Sequence, residues 1–183
     1  MASHEKFHYN SLTELCVKID ERGVDITLSE DIAPLLQPVK VGSYTAPNAM
    51  AVLPMEGCDS NLDGSPSELV ERRYMRFAGG GAGLLWWEAC AVVEEGRANE
   101  LQMMMTRDNL GQFAALVQKA NAEAAKMNGA AHRPVNVLQL THSGRYSRPH
   151  GHKPSPIVPQ HDPILDARSG LAPDAPVVTD AYL

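Results

Sequence analysis

Residues 135–149, Val-Asn-Val-Leu-Gln-Leu-Thr-His-Ser-Gly-Arg-Tyr-Ser-Arg-Pro, constrain this chain more than any other stretch. Val135, Val137, Leu138 and Leu140 read as a short buried strand, which passes directly into a polar cluster of Gln139, His142 and Arg145 hinged on Gly144. A buried strand that delivers polar side chains at its carboxyl end belongs to a parallel α/β sheet, where the loops leaving the strands converge on one face. The rest of the chain is read as further strands aimed at that face.

Two such runs precede it. Residues 50–54 form a first core strand ended by Pro54, with Met55, Glu56 and Cys58 on the loop beyond and Gly57 permitting a turn. Residues 83–93, Gly-Leu-Leu-Trp-Trp-Glu-Ala-Cys-Ala-Val-Val, are nearly continuous in apolar residues, as in a strand covered on both faces. Glu88 interrupts this run. A carboxylate buried alone is costly, so Glu88 is either half of a structural salt bridge or a group at the mouth of a site.

Helices are predicted between these strands. Ser65-Pro66-Ser67-Glu68 supplies an N-cap, a first-turn proline and a glutamate at N3, with Ser65 as the cap. Val70, Tyr74 and Phe77 continue it as an apolar stripe, and Gly79-Gly80-Gly81 ends it. That glycine run follows a helix and precedes a strand, the reverse of a phosphate-binding loop. Asp108 caps a second helix over 109–128, which carries Leu110, Phe113, Ala114, Val117, Ala120 and Ala124 on one face and Gly129 past its end. The order β, α, β, α, β with right-handed crossovers predicts a parallel sheet.

The flanks carry weaker signals. Residues 1–10 look loose, and Ser11 with Glu14 forms a capping box for a short amphipathic helix to about Arg22, closed by Gly23. Val39 and Val41 alternate around Lys40 in a predicted β-hairpin. Beyond Pro149 the chain is rich in proline and histidine and reads as a long loop with no helix of its own. Asp180 resembles the N-cap of a helix that is not continued. His150, His152 and His161 lack helix-face spacing or a cysteine partner, so they read as loop histidines and no metal site is expected.

Composition excludes several classes. The formal net charge is −6 without a basic stripe, which argues against nucleic acid as a partner. Three cysteines without CxxC spacing argue against a disulfide framework or structural zinc, and a reducing cytoplasm is the simplest compartment. No run is long and apolar enough for a signal peptide or a membrane span.

With the strands placed, the sequence resembles the N-terminal part of the old yellow enzyme family, the FMN-dependent NAD(P)H:flavin oxidoreductases and ene-reductases. The resemblance rests on Pro54-Met55, Asp63-Gly64-Ser65-Pro66, Gly79-Gly80-Gly81-Ala82-Gly83-Leu84, Glu88-Ala89, Gly96-Arg97 and Gln139-Leu140-Thr141-His142-Ser143-Gly144-Arg145, which together run from about residue 38 to 159. The last motif is similar to the branch containing 2,4-dienoyl-CoA reductases and trimethylamine dehydrogenase. That resemblance implies a (β/α)8 TIM barrel with FMN at its C-terminal mouth. Pro54, Met55 and Glu56 would wall the flavin through backbone contacts, Ala89 would lie beside the ring, and Gln139 would bond the pyrimidine edge. A primary amide suits that edge because it donates to a carbonyl and accepts from the N3 hydrogen at once.

His142 and Arg145 are motif members near the mouth, and Arg145 either faces the flavin or pairs with Glu88. The family often has Thr or Cys directly after Pro-Met and an aromatic two positions on, where this chain has Glu56 and Cys58. The Cys58 thiol either faces the substrate, modulates the flavin, or is buried and inert.

A barrel of this type needs roughly 250 residues, whereas this chain has 183, with about three of eight strands. The expected organisation is a leader with a short helix over 1–37 and a partial FMN-binding barrel over 38–183, truncated before strand four. The catalytic substrate donors, the phosphate loop and any iron-sulfur cluster are expected beyond Leu183. Such a fragment leaves an edge and an apolar face open, so it is expected to be unstable, aggregated or held by other copies as a homo-oligomer. The expected activity passes hydride from NADH or NADPH through FMN to an activated alkene, a small-molecule enone or enoyl thioester. Alternatives are a non-catalytic fragment without flavin and, with less support, a metal-dependent barrel hydrolase.

Overall fold

The computed structural model describes residues 6–182. The chain divides into two compact units, one ending at Pro34 and one beginning at Leu35. In the first, α1 spans Leu12–Arg22. The Ser11 hydroxyl accepts from the Glu14 backbone N–H at 3.2 Å and the Glu14 carboxylate accepts from the Asn10 N–H at 3.0 Å, while Gly23 closes the helix at φ 60°. Residues 6–10 have no regular structure, and the start of the stretch read as loose lies outside the described residues.

The second unit opens with a hairpin of β1 (Val39–Val41) and β2 (Tyr44–Ala46), antiparallel with Val39 opposite Ala46. Then come β3 (Ala51–Val52), α2 (Glu68–Gly79), β4 (Leu84–Ala91), α3 (Leu110–Asn128) and β5 (Val135–Thr141), and the three strands form one parallel sheet in the order β3-β4-β5. The predicted alternation is present. The first strand is shorter than expected: Met55 N–H already turns back to Leu53 C=O at 2.9 Å, and Pro54 has no N–H to continue a ladder.

Both predicted helices start differently from the sequence reading. Ser67, not Ser65, caps α2, its hydroxyl accepting from Val70 N–H. Ser65 is held instead by Asp63, whose carboxylate takes both its N–H at 2.9 Å and its hydroxyl at 2.6 Å. Asn109, not Asp108, stands at the N-cap of α3, where its side-chain oxygen takes the Thr106 N–H and its amide donates to Met104 C=O. The segment after Pro149 also differs, since it forms α4 (Pro163–Ser169), capped by the Asp162 carboxylate on Ile164 and Leu165 N–H and ended by Gly170 at φ 68°. A 3-10 turn follows Asp180, over Asp180–Tyr182.

The core lies between the helices and one face of the sheet. Tyr74 of α2 stacks on Trp87 of β4 with ring centroids 3.9 Å apart. Val70, Ala78, Leu85, Cys90, Phe113, Leu116, Ala120 and Ala124 close around the pair. The strands are not covered on both faces among the described residues, because Trp86, pointing away from the helices, stays 42% exposed. No helix of the described residues is long and apolar enough to cross a membrane.

Candidate active site

The β4–β5 register sets the geometry at the carboxyl end of the sheet. Trp87 pairs with Leu138 and Cys90 with Leu140, so Glu88 and Ala89 both stand opposite Gln139. This is a β-bulge, two residues against one, and it re-aims side chains where a strand meets a site. Glu88 is 2% exposed and fully engaged. One carboxylate oxygen takes Arg73 Nη2 at 2.6 Å and the other takes Gly57 N–H at 2.7 Å, while its own backbone N–H donates to the Tyr74 hydroxyl at 2.7 Å.

Arg73 is shared. It donates to both oxygens of Asp59, at 2.7 and 2.9 Å, besides Glu88. That fork holds the Asp59 carboxyl below its ordinary value and pushes the Arg73 guanidinium up from its own. Glu88 is therefore the buried half of a structural ion pair, and through Gly57 N–H it also anchors the loop at the strand ends.

That loop carries the residues expected to wall a flavin. Pro54 is half-buried, whereas Met55 is 74% exposed and Glu56 is exposed. Desolvation, followed by repulsion from Glu88, raises the Glu56 carboxyl above its ordinary value. Cys58 is exposed, which overturns the reading of a buried inert thiol. It adopts a left-handed backbone at φ 50°, and its sulfur accepts from the Asn99 amide at 3.2 Å. Partial desolvation and the charge of Glu56 raise its thiol above the ordinary value, so Cys58 is protonated at neutral pH.

Across the bulge, the Gln139 side-chain oxygen is buried with no hydrogen-bond partner. An orphaned buried amide oxygen calls for a donor, and an imide N–H at a flavin's pyrimidine edge has the matching chemistry. Ala89 is buried beside it, its carbonyl accepting from Gln102 Nε2 at 3.2 Å. Beneath them Arg97, 3% exposed, donates to the carbonyls of Leu62, Glu100 and Gln102, tying together the loops that follow β3 and β4.

His142 and Arg145 take other partners. The His142 Nδ1 accepts from Gly144 N–H at 3.0 Å, so the neutral ring carries its proton on Nε2, which lies 3.0 Å from the Tyr182 hydroxyl. That hydroxyl donates in turn to Glu95 at 3.2 Å. Gly96 leaves room for the ring, since a Cβ there would lie 2.8 Å from it. Arg145 does not pair with Glu88. It is ion-paired with buried Asp166 of α4 and donates to Gln160 C=O at 2.9 Å. His161 bonds Asp166 at 2.8 Å and Ala175 C=O at 3.0 Å, and among the described residues no cluster of three His, Cys, Asp or Glu side chains is placed to hold a metal.

The structure thus brings Pro54, Met55, Glu56, Cys58, Ala89 and Gln139 to one end of the sheet and ties Arg145 to α4. Sequence reasoning missed Arg73, Asp59 and Asp166. Arg73 had a usable signal, a cation directly beside Tyr74 on the apolar stripe of α2.

A βαβαβ unit with a parallel sheet and polar groups at its strand ends is built into (β/α)8 barrels and doubly wound sheets alike, and the solved structures that match this fold are of the barrel kind. No family model and no curated protein matches the chain. Solved structures do match its fold. An old yellow enzyme homologue from Zymomonas mobilis superposes with a TM-score of 0.56 at 21% identity, over 70% of this chain and 33% of that one. Morphinone reductase gives 0.52 at 24% identity over 68% and 31%, and 2-naphthoyl-CoA reductase in complex with 2-naphthoyl-CoA gives 0.56 at 21% over 64% and 17%. The chain therefore spans between 17% and 33% of the length of these structures. The likeness establishes the fold, and these are the kind of structures that the motifs of the sequence resemble.

Proposed function

We propose that this chain is the N-terminal part of an FMN-dependent oxidoreductase that passes hydride from NADH or NADPH to an activated alkene. The observation that carries this reading is the buried, donor-less Gln139 oxygen opposite the Glu88–Ala89 bulge, at the strand ends where such barrels place their sites. FMN supplies the hydride chemistry when bound. The chain's own residues hold it: the Gln139 amide at the pyrimidine edge, the backbone of Pro54, Met55 and Glu56 as a wall, and Ala89 as the small residue that lets a ring approach. Glu88 and Arg73 keep the wall in place by holding Gly57 and Asp59. The neighbouring folds support the reading, since morphinone reductase is also known in complex with tetrahydroNAD and the naphthoyl-CoA reductase in complex with a thioester.

The test is a visible absorption spectrum of the purified chain with its mass confirmed on the same sample. Bound-flavin absorbance supports the reading. A colourless protein that takes up no added FMN overturns it for this chain and favours the non-catalytic fragment.

We further propose that copies of the chain associate. The support is apolar surface left exposed on both faces of the sheet, Trp86 on the face away from the helices and Leu138 and Leu140 on the other. Light scattering coupled to size exclusion reads the outcome, and a monodisperse monomer is the result against it. A cytoplasmic location remains part of this reading.

A further inference from the structure

Loop 54–59 is held from below by side chains and presents one carboxylate that nothing holds. Asp59 is forked by Arg73, Asp63 is bonded to Ser65, and Glu88 is taken by Arg73 and Gly57. Among the described carboxylates of residues 54–63 and the strand beneath them, Glu56 alone makes no hydrogen bond or ion pair. It sits next to Met55 on a backbone that Gly57 N–H pins to the buried Glu88 carboxylate at 2.7 Å. A free carboxyl on a fixed loop, at the end of the sheet where the other polar groups converge, has the placement of a general acid.

We propose that Glu56 is the proton-carrying residue of this site. In its protonated form the carboxyl gives a proton to the substrate carbon left electron-rich when the adjacent alkene carbon accepts hydride. The carboxylate so formed recovers a proton from water. This rests on the flavin reading above, and the hydride comes from the reduced cofactor, itself reduced by NADH or NADPH, so the substrate gains one hydride and one proton.

The surroundings favour the protonated form. Glu88 faces Glu56 from β4, and Asp59 and the Cys58 thiol share its loop. The cation of that cluster, Arg73, is already committed to Asp59 and Glu88, and Asn99 supplies an amide to Cys58 and not to Glu56. Partial desolvation works in the same direction and raises the Glu56 carboxyl. Resemblance points elsewhere for this position, to a Thr or Cys, so the acid is a property of this sequence.

Two measurements on the full chain test the proposal. Carboxyl-detected NMR titration of the flavin-free protein should give Glu56 a midpoint above that of an ordinary glutamate, with the signal assigned by its loss in Glu56→Gln. Alkene reduction, counted per bound flavin, should fall about 10²- to 10⁴-fold in Glu56→Gln and recover in part in Glu56→Asp. A Glu56 midpoint at or below the ordinary value overturns the proposal, as does Glu56→Gln turnover within about threefold of the unsubstituted chain. If the unsubstituted chain binds no FMN, it is the flavin reading that fails and the proton-carrying role falls with it, and a raised Glu56 midpoint then reports only the surroundings of the carboxyl.

Discussion

Arg73 Nη2 lies 2.6 Å from one oxygen of Glu88, and the other oxygen takes the backbone N–H of Gly57, so a single buried carboxylate joins α2, β4 and the loop after β3. Breaking such a pair from one side leaves a charge buried without a partner, which costs about 3–5 kcal/mol. Arg73→Met should destabilise by about that amount, somewhat less because Arg73 itself is partly solvated. Glu88→Gln keeps the shape and an acceptor for Gly57 and should cost less. Urea unfolding of the two variants checks the order, and an Arg73→Met midpoint equal to that of the unsubstituted chain would show that the pair does not hold the loop.

Two glycine substitutions should move stability in opposite directions. A Cβ at Gly57 would collide with the Arg73 guanidinium, and because three hydrogen bonds to Asp59 and Glu88 fix that side chain, it cannot swing aside without releasing them. Gly57→Ala should therefore approach the cost of Arg73→Met, about 3 kcal/mol. A Cβ at Gly111, in the first turn of α3, meets nothing within 4 Å. Gly111→Ala should stabilise by about 0.5–1 kcal/mol through helix propensity alone. Thermal unfolding of both variants is the measurement.

Acid should weaken the same network. Hydrogen bonding from Arg73 holds Asp59 below its ordinary value, and hydrogen bonding from Ser65 does so for Asp63. A carboxyl depressed in the folded state adds stability that is present above its unfolded value of about 4 and is lost as pH falls through the folded value. Urea midpoints should therefore drop steeply below about pH 4. Asp59→Asn should start lower at neutral pH and show a shallower acid slope, and an unchanged slope would remove Asp59 from the account.

Much of this was legible in the sequence because the signals were periodic. Strands and helices alternate where apolar runs and 3.6-residue stripes alternate, and Gly23, Gly80 and Gly129 stand where helices end. The helix starts were less legible, since Ser65 and Ser67 are equally good caps locally and only the competing Asp63 carboxylate decides between them. The site was legible as a place rather than as a set of contacts. Gln139, Ala89 and Glu56 reach one end of the sheet because strand ends must. The partners of Glu88 and Arg145 depend on α2 and α4 packing, and nothing local to either residue specifies Arg73 or Asp166.

Gln139 carries the most direct prediction about the cofactor. Its side-chain oxygen is buried and has no donor, and β5 holds it opposite the bulge in a register fixed by Trp87 with Leu138 and Cys90 with Leu140. Gln139→Leu fills nearly the same volume and removes both the acceptor and the donor of the amide. Without ligand, the change relieves an unsatisfied buried oxygen and should leave stability unchanged or raise it by about 1 kcal/mol. On the proposed flavin reading the sign reverses with FMN, because the amide would bond the pyrimidine edge through both its donor and its acceptor, and affinity should fall roughly 10-fold or more for two hydrogen bonds of about 1 kcal/mol each. Flavin fluorescence titration and urea unfolding on the same two proteins separate the effects. Equal FMN affinity in both proteins would take Gln139 out of the site and return its orphaned oxygen to the core.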